Sequence, residues 1–258
     1  MITIGVDLAS QPGKTAACSL AWRANEATVE VMALNITDEI LLALASTGDK
    51  VGVDVPFGWP EAFVRAVSAH HVQREWPQAQ NCDLRLRRTD VFVWKAIGKQ
   101  PLSVSTDKIG MPALRMASLM VRLAQAGTPI DRTGAGRFVE VYPAAALRRW
   151  GIADAKKETP LLLPALLAQA PWLKMTETSL ALCAASRDAC DALVAALAAR
   201  AAAVGLCESI PDRYRRIAEV EGWIALPIAE SLSRLMGAPD RLEVGREPKE
   251  LLSCCIKV

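Results

Sequence analysis

The sequence is poor in histidine and has no paired cysteine motif. Its only histidines are the neighbours His70 and His71, which argues against a histidine-based zinc site or a histidine-containing catalytic triad. Seven cysteines are spread along the chain without any Cys-x-x-Cys spacing, and most lie in apolar surroundings, where a free thiol packs as a small hydrophobe. We therefore expect reduced thiols and a cytoplasmic location.

The chain also lacks a strong net charge and a long apolar run. Its formal charge is +2 over 258 residues, so a nucleic-acid partner would have to be met by local clusters of Arg and Lys. The longest apolar tracts are interrupted by Pro164, Pro171 or Arg200, and no basic segment precedes an apolar stretch near the N-terminus. We expect no export and no membrane span, in a globular chain with ample apolar content for a core.

Four aspartates are the most informative residues that are present. Asp7 and Asp54 each close a short apolar run that is typical of a β-strand, and strand ends are where open α/β sheets usually build their sites. Asp188 and Asp191 are three residues apart, so a helix projects both from one face. Brought together without a cation, such acids would repel and raise one another's pKa. We expect all four to bind Mg²⁺ or Mn²⁺, hard cations that prefer oxygen ligands.

The order of predicted elements indicates the fold class. The patterns predict strands at about 2–8, 15–22 and 28–34, a helix at 37–45, strands at 50–55 and 138–143, a short helix at 144–150, and an Ala-rich helix at 187–203. Residues from about 60 to 136 are mainly helical and are predicted to form an insertion in a single domain of residues 1–258. The tail after Glu221 is predicted as a short strand plus a helix. Three antiparallel strands, two parallel strands and a final acid-bearing helix form the order of an α/β fold of the RNase H-like type.

Six short stretches also resemble a known family, in order along nearly the whole chain. The resemblance is to domain-of-unknown-function family 429, whose members are described as predicted nucleases with an RNase H fold. The stretches are Gly5-Val6-Asp7, Val53-Asp54-Val55-Pro56-Phe57-Gly58, Arg88-Thr89-Asp90, Glu140-Val141-Tyr142-Pro143, Asp188-Ala189-Cys190-Asp191-Ala192 and Glu221-Gly222-Trp223-Ile224. The resemblance implies an RNase H-like fold and metal-dependent cleavage of phosphodiester bonds.

The four acids are also similar to those of Holliday-junction resolvases. In those enzymes one acid ends strand one, one follows strand four and two lie on the last helix. Their strand-four acid is usually Glu, whereas Asp54 is shorter by one methylene. Glu140 is a fifth catalytic candidate, either as a ligand or as an acid behind the ligands, although in a strand it could equally face solvent.

Each acid has a simpler interpretation as well. Asp7 could only begin a turn, since Asp is a common turn former. Asp188 could be an acid favoured by the helix dipole, with Ser186 as the cap. Asp54 and Asp191 lie among apolar residues, where a charge needs a partner, so a functional role is favoured for both.

Three further residues are candidates for substrate binding. Lys14 follows Gly13 as in a phosphate-binding loop, but Leu8 occupies the position of the required Gly and a strand follows, so a turn from which Lys14 reaches a phosphate is the better interpretation. Arg88 is expected to clamp a phosphate, and Asp90 could be its salt-bridge partner.

The basic stretch at the start of the insertion suggests a further contact. For a polynucleotide substrate, Arg85, Arg87 and Arg88 are expected to contact several phosphates. A solvated charged surface is an equally good interpretation of that stretch.

The leading hypothesis is a metal-dependent nuclease or phosphodiester hydrolase in which two divalent ions activate water and stabilise the leaving oxygen. The expected partner is a nucleic acid or a nucleotide, and the oligomeric state is left open. One alternative is a nucleotide-binding ATPase or kinase-like protein of the actin, hexokinase and acetate kinase group, because Gly5-Val6-Asp7 and the hairpin after it resemble a first phosphate loop. A catalytically idle scaffold is a third possibility.

Overall fold

A computed structural model describes residues 1–152 and 159–237. The strands are β1 (Ile2–Asp7), β2 (Ala16–Trp22), β3 (Ala27–Leu34), β4 (Lys50–Asp54), β5 (Phe138–Glu140) and β6 (Leu173–Lys174). The helices are α1 (Asp38–Thr47), α2 (Glu61–His71), α3 (Asn81–Arg85), α4 (Arg88–Ile97), α5 (Gly110–Gln125), α6 (Pro143–Arg149), α7 (Thr159–Gln169), α8 (Glu177–Ala185), α9 (Arg187–Ala203) and α10 (Arg215–Glu221).

The strands form one mixed sheet in the order β5-β4-β1-β2-β3-β6. β2 is antiparallel to both of its neighbours, whereas β4 runs parallel to β1, β5 to β4, and β6 to β3. The predicted α/β class, with three antiparallel strands followed by two parallel ones, is confirmed. β6 was not predicted, because two residues are too few to show a strand pattern.

Helices cover both faces of the sheet. On one face α9 packs across β1, β2 and β4, and α6 and α8 pack against α9. α9 begins and ends where the sequence predicts, and its cap is the predicted Ser186, whose hydroxyl accepts from the backbone N–H of Ala189 at 3.3 Å. On the other face, Ile4 and Val6 of β1 and Val53 of β4 pack against residues of α1 and α5. The sheet is therefore buried between two apolar layers.

Four helices, α2 to α5, lie between β4 and β5, in the segment predicted as a helical insertion. α4 occupies part of the stretch that the sequence left irregular. It begins where the Asp90 carboxylate accepts from the backbone N–H of Arg87 at 2.9 Å, and it ends at Gly98, whose φ of 68° is left-handed. The β1–β2 connection is attached to α5, because Arg115 donates to the carbonyl of Ala9 at 2.8 Å.

The segment after α10 differs from its prediction. Up to residue 237 the segment forms isolated bridges between Glu140 and Ile224 and between Cys207 and Pro227, followed by a 3-10 helix at Leu232–Arg234. The rest of the tail predicted as a strand and a helix, residues 238–258, lies outside the described residues. The apolar run at 223–226 packs as buried irregular backbone beside β5. None of the helices in residues 1–152 and 159–237 has both the length and the apolar character of a membrane span.

Candidate active site

Two glycines let the acid-bearing helix lie close to the sheet. A Cβ atom built on Gly5 of β1 would stand 2.0 Å from the carbonyl oxygen of Ala192, and one on Gly52 of β4 would stand 2.6 Å from that of Ala195. Side chains at these positions would push α9 away from both strands. Gly5 and Gly52 therefore set how closely the helix approaches the sheet, and each lies two residues before a strand-end aspartate.

Those aspartates, Asp7 and Asp54, are neighbours on the sheet. β1 and β4 are parallel and adjacent, and Asp7 is paired in register with Asp54, as Gly5 is with Gly52. Because side chains alternate along a strand, each aspartate faces the same side as the glycine two residues before it, which is the side of α9. The structure thus places both strand-end acids at the carboxyl ends of parallel strands, beneath the first turn of α9.

The ionised form of Asp7 is opposed by its surroundings. Burial raises its pKa, and the nearby charges of Asp191 and Asp188 raise it further, to about 7, although Arg187 acts in the opposite direction. The Asp7 carboxyl therefore loses its proton less readily than an ordinary aspartate does. Like-charge repulsion of this kind was predicted from the sequence, and the structure brings Asp7 under the influence of both acids on α9.

Arg187 is a site residue that the sequence analysis missed. Its guanidinium donates to both carboxylate oxygens of Asp191, at 2.9 and 2.8 Å, while Asp188 is exposed on the same turn. Positions 187 and 191 have the i, i+4 spacing of a helical ion pair, a signal that could have identified Arg187. Arg187 partly neutralises the acids that gather around Asp7.

The acidic strand ends open into a cavity of about 270 Å³. Asp7 and Asp54 line it on one side, and the insertion supplies an opposite wall that includes Pro101, Leu102 and Pro112. Tyr142 also lines the cavity, and burial together with the charge of Asp54 raises the pKa of its hydroxyl. The cavity therefore joins carboxylates at the sheet to an apolar wall from the insertion.

Glu140 and Asp90 also border this cavity, but they belong to a different cluster. Both are buried, and both accept from Arg87: its guanidinium lies 2.9 Å from Asp90 Oδ1 and 2.7 Å from Glu140 Oε1. Glu140 is paired with Val53 on β4, so it faces the side of the sheet away from Asp54. The partner of Asp90 is thus Arg87 rather than Arg88, and Glu140 takes part in a buried ion pair apart from the strand-end aspartates.

The Arg87 cluster attaches the insertion to the sheet. Burial alone would lower the pKa of Arg87, but the charges of Asp90 and Glu140 outweigh it and leave that pKa raised. Burial raises the pKa of Glu140, against the effects of Arg87 and of a backbone hydrogen bond from Phe57. Glu221 adds a second attachment, since its carboxylate accepts from the first backbone N–H groups of α2 and α4, at Glu61 and Arg88.

Of the residues predicted to contact phosphate, Lys14, Arg85 and Arg88 lie outside the cavity lining, whereas Arg87 is part of it. Lys14 is exposed in the 3-10 turn Pro12–Lys14 that follows β1. Arg88 is about half exposed and pairs with Asp83 at 3.1 Å. Arg85 is exposed, but Arg87 is 2% exposed. The expectation that Arg87 contacts several phosphates is therefore wrong, because its guanidinium is enclosed by carboxylates.

The acids have the donor chemistry of a Mg²⁺ or Mn²⁺ site. Carboxylate oxygens are the preferred ligands of these cations, and a cation would remove the repulsion that raises the pKa of Asp7. The acids are not grouped as closely as the ligands of a bound metal ion. Among residues 1–152 and 159–237, no three Asp, Glu, His or Cys side chains form a group that could hold a metal ion. Both oxygens of Asp191 accept from Arg187, so a cation that used Asp191 would have to compete with that arginine.

Comparison with known proteins identifies a family. A family model described as "Protein of unknown function (DUF429)" matches residues 5–216, a range that includes all four aspartates, the whole insertion and α9. Searches of curated proteins and of solved structures gave no match. With more than half of its length matched, the chain belongs to the DUF429 family.

Proposed function

We propose that this protein is a metal-dependent hydrolase of phosphodiester bonds, a nuclease in the broad sense. The observation that carries the proposal is the pairing of Asp7 with Asp54, in register at two parallel strand ends, under a helix turn that carries Asp188 and Asp191. Acids gathered at the carboxyl ends of parallel strands, beside a cavity, are expected of a site rather than of a structural core.

Asp7 and Asp54 would supply the first carboxylate ligands of the cation. Asp188, or Asp191 if Arg187 releases it, would have to move closer to complete the set, because no three acids of residues 1–152 and 159–237 are grouped as a metal site. A bound Mg²⁺ or Mn²⁺ supplies an activated water near neutral pH and stabilises the charge on the leaving oxygen. Asp7 must lose its proton before it can serve as a ligand. Since its pKa is raised to about 7, cation binding and activity should strengthen as the pH rises through 7.

The remaining residues support the acids. The charge of Arg187 lowers the pKa of Asp7 and limits the repulsion, and the apolar wall of the insertion limits the access of water. We expect the substrate to be a nucleic acid, a nucleotide or a smaller ester of the same kind. We also expect a cytoplasmic location, in line with the free Cys18, Cys183 and Cys190, which are buried as ordinary apolar residues.

The decisive test measures cation binding and cleavage with the same variants. Isothermal titration with Mn²⁺ at pH 8, followed by hydrolysis of a phosphodiester, should show both for the native protein and neither for Asp7→Asn. Asp212→Asn is the matched control, because it removes the same charge from a carboxylate whose side chain is 92% exposed. Loss in the Asp7 variant alone supports the proposal. Unchanged Mn²⁺ binding in Asp7→Asn, or cleavage that does not depend on a metal, contradicts it.

The same measurements, together with ATP titration and melting curves with Mn²⁺, separate the alternatives. A nucleotide-binding ATPase or kinase-like protein would bind ATP tightly with Mg²⁺ and leave phosphodiesters intact. An idle scaffold would gain thermal stability from Mn²⁺ but would cleave nothing. No specific feature of the described residues favours either alternative over the hydrolase.

A further inference from the structure

The wall opposite Asp7 and Asp54 is apolar and comes from the insertion. Pro101 is buried, Ile109 and Pro112 are partly buried, and Leu102 stands at the rim with 47% of its surface exposed. Ile224 adds a further apolar side chain from the segment after α10. Small-molecule sites are mostly apolar with a few placed polar groups, and a volume of about 270 Å³ lies near the lower end of their range.

Arg87 is the one basic residue that lines this cavity among the described residues, and it has no donor left for a ligand. An arginine side chain has five N–H groups. Nε donates to Asp90 at 3.2 Å, Nη2 to Asp90 at 2.9 Å and to Glu140 at 2.7 Å, and Nη1 to Glu140 at 2.8 Å and to the carbonyl of Glu221 at 3.2 Å. All five are used within the protein, so Arg87 offers no hydrogen bond to a phosphate.

The lining is therefore strongly unfavourable to a polyanion. Four carboxylates line the cavity, those of Asp7, Asp54, Asp90 and Glu140, and the guanidinium in the lining, that of Arg87, is fully engaged. Arg187, whose charge acts on Asp7, lies outside the lining. A polynucleotide is held mainly by cationic contacts to successive phosphates. The basic residues that flank the wall in sequence, Lys99 and Lys108, are exposed and do not line the cavity.

We propose that the cavity takes a compact phosphate ester with one apolar group, which packs on the wall of Pro101, Leu102 and Pro112, and not a polynucleotide strand. The phosphate part of this inference rests on the proposed function. The apolar subsite rests on the wall itself, so the two can fail separately.

The test uses two exposed leucines of the insertion. Leu102 lines the cavity, whereas Leu114 on α5 is 59% exposed and does not. Leu102→Asp should weaken binding of diphenyl phosphate, measured by isothermal titration with Mn²⁺, by about tenfold or more, since it replaces apolar contact with charge. It should raise the KM for bis(p-nitrophenyl) phosphate by a similar factor. Leu114→Asp should change neither.

A single-stranded oligonucleotide of about 20 nucleotides is the second substrate, to be compared with the small diester. The inference predicts a lower kcat/KM for the oligonucleotide than for the small diester, and no effect of the double variant Lys99→Ala/Lys108→Ala on either. If the oligonucleotide is the preferred substrate and the double lysine variant cleaves it less efficiently, the inference is overturned. The proposed hydrolase activity would then still stand. If diphenyl phosphate binding depends on Leu102 but no substrate is hydrolysed, the apolar subsite is supported and the proposed hydrolase activity is contradicted. Binding that ignores Leu102→Asp, or no binding at all, rejects the subsite.

Discussion

Two clusters of charge border the same cavity and are built in opposite ways. In the Arg87 cluster, Asp90 and Glu140 enclose one guanidinium whose five donors are all used. In the Asp7 cluster, Asp7 is paired with Asp54 on the sheet, and burial together with Asp191 and Asp188 of α9 raises its pKa to about 7, with only partial relief from Arg187. The first cluster satisfies its charges within the protein, whereas the second contains an acid whose ionised form is opposed by burial and by neighbouring acids.

This difference separates the roles of the acids. A buried charge with a complete set of partners holds its surroundings in place, and the Arg87 cluster attaches the insertion to β5. Like charges kept together at strand ends destabilise the fold unless a ligand offsets them, which is typical of a functional site. Glu140 and Asp54 lie on neighbouring parallel strands, yet the alternation of side chains assigns them to different clusters.

The largest effect is expected from breaking the paired cluster. Arg87→Leu leaves Asp90 and Glu140 buried without a cation, so the free energy of unfolding should fall by about 3–5 kcal/mol. Urea denaturation followed by circular dichroism measures the change, and Arg87→Lys should recover only part of the loss, because an ammonium group cannot bind both carboxylates bidentately. A loss below about 1 kcal/mol would show that the cluster does not hold the insertion.

The Asp7 cluster should respond in the opposite direction. Because the pKa of Asp7 is raised from 3.8 to about 7, its contribution to stability is complete below pH 3.8 and is lost as the pH rises to about 7. Asp7→Asn should therefore match the native protein near pH 4 and exceed it at pH 8, by at most about 4 kcal/mol. Melting temperatures across this pH range measure the difference.

Asp212→Asn, at an exposed carboxylate, should show no such pH-dependent gain. Addition of Mn²⁺ at pH 8 should raise the melting temperature of the native protein and leave that of Asp7→Asn unchanged. An Asp7 variant that is less stable at pH 8 would mean that this carboxylate is structural.

A smaller effect is expected from Arg187, the cation that partly offsets the acidic cluster. Arg187→Gln removes two hydrogen bonds to Asp191 and should lower the free energy of unfolding by about 1–2 kcal/mol. It should also strengthen Mn²⁺ binding by about three- to tenfold, since a nearby unit charge contributes on the order of 1 kcal/mol. Titration calorimetry compares the Mn²⁺ affinities of the native protein and the variant. Arg215→Gln, whose arginine pairs with the exposed Asp212, is the control.

Sequence patterns predicted the elements that hold the acidic cluster. β1 and β4 are short apolar runs that end in Asp7 and Asp54, and α9 carries its own start signal in Ser186. These signals are local, so they can be identified without knowledge of the fold. The i, i+4 spacing of Arg187 and Asp191 is local as well, so this ion pair is also identifiable from the sequence.

The Arg87 cluster could not be predicted in the same way. Arg87 and Glu140 are 53 residues apart, and their contact depends on how the insertion packs against β5. Alternation along β5 does not decide which face of the sheet the Glu140 side chain points to. That depends on the register of Glu140 with Val53 on β4. The basic stretch therefore suggests a phosphate-binding surface when only the sequence is considered. In the structure, one of its arginines, Arg87, is enclosed by acids.

The smallest effect is expected from Arg88, the residue beside Arg87 in the basic stretch. Its side chain is 47% exposed and its ion pair with Asp83 is at the surface, so Arg88→Ala should change the free energy of unfolding by no more than about 1 kcal/mol. Arg88→Ala therefore tests substrate contact without disturbing the fold. If Arg88 contacts no phosphate, the salt dependence of oligonucleotide binding stays unchanged, whereas a lost contact would flatten the slope by about 0.7 log units on a single strand. Fluorescence anisotropy over a salt series measures that slope, and a flatter slope in Arg88→Ala would restore this arginine as a phosphate clamp.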